Sequence, residues 1–445
     1  MNNKTSTKDT SSSFSLNQAE RETVETNART MVLYPYIRKN NILNIESRLA
    51  EAISLAKAIS LDIVYSETVG MQKLNSATYI GVGKVRDLAE LIVSQEIDLV
   101  IIDCALSPIQ QRNLERDLAV KVIDRTGLIL EIFGERAQTR EGVLQVALAH
   151  FEYQKSRLVR SWTHLERQRG GGGFMGGPGE RQIESDRRAL RERISHIKKL
   201  LAKVAKTRLL HRDNRTKVPF PVVALVGYTN AGKSTLFNRL TDAKVSAKNR
   251  LFETLDPTMR SIVLPSGKKI ILSDTVGFIS HLPHELVAAF RATLEEVLAA
   301  DVIIHVRDMH SEECEAQKED VFEVMENLGL DKDVIPIIEC QNKIDLLDAA
   351  AKELLANSAV RKEDVTAISA NSGEGIDELL KTIDAYISKG DEMVEHKLEY
   401  AEGEALSWLY AHGEVLERVD GEKNIEVTVR LKTKDKDRFA HLFRR

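Results

Sequence analysis

Eight consecutive residues, Gly227-Tyr228-Thr229-Asn230-Ala231-Gly232-Lys233-Ser234, set two glycines, a lysine and a hydroxyl at the spacing Gly-x-x-x-x-Gly-Lys-Ser, directly after the apolar run Val222 to Val226. Between a strand and a helix that spacing makes a phosphate cradle. The glycines let successive backbone N–H groups approach the anion, and the helix turns its positive end towards it. Lys233 would reach the β and γ oxygens and Ser234 would ligate Mg²⁺. Asp274-Thr275-Val276-Gly277 follows the run Ile270 to Ser273, so a carboxylate stands just outside the metal's ligands and a glycine amide near the γ-phosphate. Asn342-Lys343-Ile344-Asp345 ends a further apolar run and would choose the base. An aspartate accepts two hydrogen bonds from guanine, whereas adenine would leave it unpaired at ~1 to 3 kcal/mol. Ser369-Ala370-Asn371 would bring backbone amides to the guanine carbonyl. These residues predict binding of GTP and GDP, and hydrolysis of GTP.

Between the first two motifs lies Phe252-Glu253-Thr254-Leu255-Asp256-Pro257-Thr258, where a switch threonine would sense the γ-phosphate through Mg²⁺. By spacing, Thr254 and Thr258 both fit. Phe278 follows Gly277 at the position where many GTPases hold a water-orienting glutamine. A phenyl ring cannot orient water, so slow intrinsic turnover is expected, boosted by a partner or an ion. Missing parts of such a site are worth roughly 10³ to 10⁵ in rate. Asn230 could hold a monovalent cation such as K⁺ against the phosphates or simply brace its loop.

The elements that must position these groups form an α/β chain. Residues 1–30, rich in Ser, Thr and Asn, read as a disordered tail without the apolar core of a secretion signal. Residues 31–150 alternate strand-like runs (Ile63 to Tyr65, Leu99 to Ile102, Val120 to Ile123) with helix-like ones, the pattern of a small parallel-sheet domain. Within it, Gly81-Val82-Gly83 lacks the third glycine of a dinucleotide fingerprint. Residues 151–217 carry apolar positions at Phe151, Leu158, Trp162 and Leu165, then at Leu190, Ile194, Ile197, Leu201 and Val204. Steps of seven, four and three are those of two helices sharing a seam, here an antiparallel hairpin with the glycine-rich tip Gly170 to Gly179. Residues 220–388 read as a doubly wound P-loop domain. Residues 395–445 read as a small α+β domain with a hairpin turn at Asp420-Gly421.

The formal net charge of -4 hides an asymmetry. From Lys155 to Lys217 there are 18 Lys plus Arg against 6 Asp plus Glu, so this segment carries +12 and the rest carries -16. Three cysteines, Cys104, Cys314 and Cys340, without ligand spacing suit a reducing cytosol. No run approaches the ~18 apolar residues of a membrane-spanning helix.

The chain resembles the HflX family of GTPases over roughly residues 30 to 390. The resemblance rests on Tyr79 to Val85, on Asp124-Arg125-Thr126-Gly127-Leu128-Ile129-Leu130-Glu131-Ile132-Phe133, on Arg136 to Val146 and on Gly177-Pro178-Gly179-Glu180-Arg181-Gln182-Ile183-Glu184-Ser185-Asp186-Arg187-Arg188. It implies a monomeric cytoplasmic GTPase that binds the large ribosomal subunit and its RNA and dissociates stalled or idle ribosomes under stress. The first domain and the hairpin would contact ribosomal RNA, and the ribosome would stimulate hydrolysis. It also favours Thr254 as the Mg²⁺ threonine, which makes Lys233, Thr254, Gly277 and Asn230 the residues expected around the reacting phosphate. Two positions depart from the family pattern: the glycine run Gly170 to Gly173 is long, and Asn371 stands where lysine is frequent. The last ~50 residues carry little family signal by eye. A GTP-dependent adaptor for a protein partner is the competing expectation. An RNA-modifying enzyme in residues 31–150 ranks below it, since no nucleophile, metal cluster or acid–base pair is visible there.

Overall fold

The computed structural model describes residues 28–38, 44–160, 178–215, 220–241, 252, 254–255, 258–280, 296–327, 329–330, 335–360, 362–389, 391–421 and 423–443. The tail to residue 27, Trp162, Leu165 and residues 170–177 of the expected tip lie outside these residues, as do Glu253 and Asp256, whereas Pro178 and Gly179 open a helix and do not belong to the tip. The first sheet holds β1 (Arg29–Ile37), β2 (Asp62–Met71), β3 (Leu99–Ile102) and β4 (Lys121–Asp124), in the order β2-β1-β3-β4. All its pairings are parallel. Every residue of β3 is buried, as parallel strands covered on both faces must be. α1 (Ile45–Ala58), α2 (Val82–Ser94), α3 (Pro108–Leu118) and α4 (Arg125–Arg136) cover it. Ser107 starts α3 with a reciprocal capping box to Gln110, and Pro108 fills the first helical position, where a missing N–H costs nothing.

Two long helices follow, α5 (Arg140–Arg160) and α6 (Pro178–Arg215). They pack through Leu144, Leu148 and Phe151 against Ile194, Ile197, Leu201 and Val204. The seam therefore contains four of the five expected apolar positions of α6, Leu190 lying outside it, and α5 begins 11 residues before residue 151, the expected start of the hairpin.

The second sheet contains β5 (Val222–Gly227), β6 (Thr258–Val263), β7 (Lys269–Asp274), β8 (Val302–Asp308), β9 (Ile337–Asn342) and β10 (Val365–Ala367), in the order β10-β9-β8-β5-β7-β6. Only the edge strand β6 runs antiparallel. α7 (Lys233–Thr241), α8 (Cys314–Asn327), α9 (Ala349–Val360) and α10 (Ile376–Ile387) alternate with these strands. A third, antiparallel sheet of β11 (Asp391–Glu399), β13 (Asn424–Lys432) and β12 (Glu414–Asp420) is backed by α11 (Gly403–His412) and α12 (Thr433–Phe443). No helix among the described residues is long and apolar enough to cross a membrane.

One apolar core joins the first two sheets. It runs from Val32, Leu55, Leu128 and Phe133 into Tyr228, Phe252, Leu255, Phe278 and Ile279. Phe133 meets Phe252 edge to face at 4.9 Å, a geometry worth about 1 kcal/mol beyond the buried area. The phosphate turn and both switch segments are thus roofed by the first sheet's helices.

Candidate nucleotide site

The carboxyl ends of β5, β7 and β9 open on one edge of the second sheet, and β10 leads there into Ser369, the position where open α/β sheets bind ligands. β5 ends in Gly227, whose φ of 151° and proximity to β8 exclude a side chain: a Cβ would lie 2.2 Å from the Val306 carbonyl oxygen. At Gly232, with φ 97°, a Cβ would lie 2.2 Å from Asn342 Nδ2. Asn230, exposed, also adopts a left-handed φ of 59°. The backbone of the turn is therefore shaped for close approach by an anion and not by side chains.

Lys233, the first residue of α7, lies buried across the turn and donates to the Gly227 carbonyl at 3.1 Å and the Tyr228 carbonyl at 2.7 Å. Burial lowers its pKa to about 8, against the opposing pull of Asp274. Phosphate bound at this turn would favour the charged ammonium, so nucleotide binding is expected to take up a proton at about pH 8.5 and none at about pH 6.5. Calorimetry in buffers of different ionisation enthalpy measures this uptake. Heats independent of buffer at the higher pH would contradict it.

Ser234, Thr254 and Asp274 converge. Asp274 Oδ2 accepts from Ser234 Oγ at 2.8 Å and from Thr254 Oγ1 at 2.7 Å, and the two hydroxyls are 2.9 Å apart. Asp274 Oδ1 is buried with no hydrogen-bond partner among the described residues. Burial raises the pKa of this carboxyl, and the two hydroxyls and Lys233 oppose the rise. Two hydroxyls and an orphaned carboxylate oxygen are hard donors of the type Mg²⁺ takes, directly or through its waters. The donor set fits that ion.

Gly277 approaches the turn so closely that a Cβ would stand 2.9 Å from Thr229 Cα and 3.1 Å from Lys233 Nζ. Phe278 forms a bridge with the turn: its N–H donates to the Gly227 carbonyl at 3.1 Å, and its carbonyl accepts from Thr229 N–H at 2.7 Å. Its ring lies in the shared core and carries no group for orienting water. Thr275 and Val276, buried beside β5, complete this segment; the Thr275 hydroxyl donates to the Leu225 carbonyl at 2.5 Å.

At the carboxyl end of β9, Asn342 is a clamp. Its Nδ2 donates to the Ala231 carbonyl at 2.8 Å and its Oδ1 accepts from Ala370 N–H at 2.9 Å. Ser369 and Ala370 are buried, and Asn371 is exposed. Lys343 donates to Asp308 at 2.7 Å, and Ile344 and Asp345 open a short 3₁₀ turn that leaves the Asp345 carboxylate in solvent. Sequence reasoning missed Arg239, whose Nε donates to the Ala370 carbonyl at 3.0 Å and whose Nη2 donates to the Asn371 carbonyl. Thus the 227–234 turn, the two hydroxyls, Asp274 and the loops at 342–345 and 369–371 meet at one edge, while Thr258 lies in β6 instead.

Comparison with known proteins agrees with this geometry. The family model described as 50S ribosome-binding GTPase matches residues 222–343. Models of the GTP-binding GTPase N-terminal and middle regions match residues 46–134 and 136–215. An HflX C-terminal domain model matches residues 354–443, so the end of the chain does carry family signal, contrary to its reading by eye. GTPase HflX of Magnetococcus marinus is 49% identical over 86% of this chain and 88% of its own length. GTPase HflX of Escherichia coli is 44% identical over 79% of this chain and 81% of its own. The chain belongs to the HflX family of GTPases and is a GTP-binding and GTP-hydrolysing protein.

Proposed function

We propose that this protein is a monomeric cytoplasmic factor that docks in its GTP state on the large ribosomal subunit, dissociates stalled or idle ribosomes under stress, and leaves after hydrolysis. The observation that carries the reading is the one-sided charge of the paired helices. Lys198, Lys199, Lys203 and Lys206 are all exposed on α6, within the segment of charge +12, and a groove between α5 and α6 is lined by Lys155, Arg191, Lys198 and Lys199. Clustered cations on one arm are the electrostatic footprint of a nucleic-acid backbone.

In this reading Gly227 to Ser234 cradle the phosphates, with Lys233 on the β and γ oxygens. Ser234 and Thr254 would hold Mg²⁺ with the Asp274 carboxylate beside them, and the Gly277 amide would meet the γ-phosphate. Bound there, the ion would supply charge neutralisation for the transferring phosphoryl group. Asn342, Lys343, Ile344, Asp345 and Ser369 to Asn371 hold guanine. Asn230, exposed in its left-handed turn, would share K⁺ with the phosphates.

The buried ring of Phe278 leaves the attacking water without an orienting side chain at that position. Isolated protein is expected to turn over slowly, and purified large subunits to accelerate it ~10³-fold or more. Turnover in KCl is expected to exceed that in NaCl. Fast turnover of the isolated protein, or no response to subunits, would contradict the reading; equal rates in the two salts would remove K⁺ from it.

A further inference from the structure

Two consecutive residues at the junction of β4 and α4 reach into opposite interfaces. Asp124 is buried, and its carboxylate takes four donors. Oδ1 accepts from Gly127 N–H at 2.9 Å and from the Tyr153 hydroxyl at 2.7 Å. Oδ2 accepts from Arg157 Nη2 at 2.5 Å and from Leu106 N–H at 3.2 Å. Tyr153 and Arg157 belong to α5, and the guanidinium of Arg157 also lies 4.1 Å from the centroid of the Tyr153 ring. Gly127 makes the room: a Cβ there would stand 3.0 Å from the Tyr153 hydroxyl and 3.3 Å from Asp124 Oδ1. α5 is thus pinned by the residue that caps α4.

Arg125 turns the other way. Its Nη1 donates to Asp103 at 2.7 Å, and its Nη2 donates to Glu51 and, at 3.2 Å, to the carbonyl of Ser280. The other oxygen of Glu51 accepts from the Tyr228 hydroxyl at 2.9 Å. That hydroxyl accepts from Ser280 N–H at 2.9 Å and lies 2.7 Å from Ser280 Oγ, which Arg48 also contacts. Tyr228 belongs to the phosphate turn, and Ser280 stands two residues beyond the bridge between Tyr228 and Phe278.

We propose that the Asp124-Arg125 junction is a relay between the phosphate site and the helical arm, with Glu51, Arg125 and Tyr153 as its positioning residues. A γ-phosphate that draws in the Gly277 amide must displace the segment from 277 to 280. The Ser280 carbonyl and the Arg125 guanidinium are bonded to each other in the interior, so separating them leaves two desolvated polar groups. Arg125 follows instead, and Asp124, joined to it by a peptide bond, carries the shift to Tyr153 and Arg157. Coupling of this kind is reciprocal, so force on the arm biases the phosphate site equally.

The relay rests on the proposed function for the contact of the Gly277 amide with the γ-phosphate and for its purpose, because it names how docking of the arm would be felt at the nucleotide. Its test needs no ribosome. Amide hydrogen exchange is followed in the full-length protein saturated with GDP or with a non-hydrolysable GTP analogue. In the wild type, exchange in the α5 segment 150–157 is expected to differ at least ~5-fold between the two nucleotides. Tyr153→Phe and Glu51→Gln, which keep shape and remove one link on each side, are expected to abolish that difference, and Tyr153→Phe to leave nucleotide affinity unchanged. A purely structural role for Tyr153 would instead speed exchange equally in both states and leave the ratio intact. That outcome, or a wild-type ratio of one, overturns the relay. A preserved ratio in a protein that fails to bind large subunits would sink the ribosomal reading and leave the relay standing.

Discussion

Lys233→Ala is expected to cost ~10²-fold or more in affinity for GDP and GTP. The ammonium is the single buried cation lying across the phosphate turn in the described residues, and it has no competing carboxylate in hydrogen-bond range, only the Gly227 and Tyr228 carbonyls. Nucleotide would replace those two carbonyls with phosphate oxygens. Charge-assisted hydrogen bonds contribute ~1.5 to 3 kcal/mol each, and ~1.4 kcal/mol is a factor of ten. Turnover should fall further than affinity, because charge on the transferring phosphoryl group is stabilised by the same ammonium. Titration with a fluorescent guanine nucleotide and single-turnover hydrolysis measure the two losses separately. A variant that binds and hydrolyses within ~3-fold of the wild type would exclude Lys233 from the phosphate site.

Asp345→Ala is expected to erase the preference for guanine. Asp345 stands exposed at the start of its 3₁₀ turn, with its carboxylate available for two hydrogen bonds from the guanine N1 and N2 positions. A site built to pair with polar groups of its ligand discriminates by as much as ~10⁴ or more, so GTP affinity should drop by at least ~10² while ATP affinity stays where it was. Asp345→Asn sharpens the test, because its amide N–H would repel the guanine amino group and would donate to a carbonyl oxygen at the same ring position. That variant should bind xanthosine nucleotides in preference to guanosine nucleotides. Competition titrations with GTP, ATP and XTP read the outcome; an unchanged order in both variants would assign base choice to other residues.

Local chemistry explains which features were legible in the sequence. Gly227, Gly232 and Gly277 are required by steric limits within the turn and its immediate neighbours, so their spacing announces the phosphate cradle before any fold is known. Apart from β6, the strands of the second sheet are short, largely apolar runs, most of them leading into motif residues, and they were readable for the same reason. β1 was hidden because Arg29 and Thr30 belong to a stretch whose composition reads as a tail, and α4 because its residues read as family signature and not as a helix. β6, β11 and α12 also escaped, since edge strands and mixed-polarity terminal helices lack a strong period.

Contacts over long sequence separations were not legible at all. Tyr228 meets Glu51 across 177 positions, Asn342 clamps Ala231 across 111, and Arg239 holds the Ala370 carbonyl across 131. Neither the identity nor the spacing of these residues signals that they touch: packing of the first sheet's helices over the switch segments brings Glu51 to Tyr228, and the strand order of the second sheet brings the other two pairs together. Spacing likewise left Thr254 and Thr258 as equals, and the structure separates them: Thr254 Oγ1 lies 2.7 Å from Asp274, while Thr258 begins β6.

In the proposed function, GTP serves as a timer for an arm that grips ribosomal RNA. Sucrose-gradient sedimentation with purified ribosomes and a non-hydrolysable GTP analogue tests it most directly, with the wild type beside a variant in which Lys198, Lys199, Lys203 and Lys206 are replaced by glutamine. The wild type should co-migrate with large subunits and reduce the intact-ribosome peak with the analogue and not with GDP. The variant should bind more weakly and lose up to ~4 units of the slope of log affinity against log salt. Co-migration indifferent to nucleotide, to salt and to the four lysines, or no co-migration at all, would contradict the account.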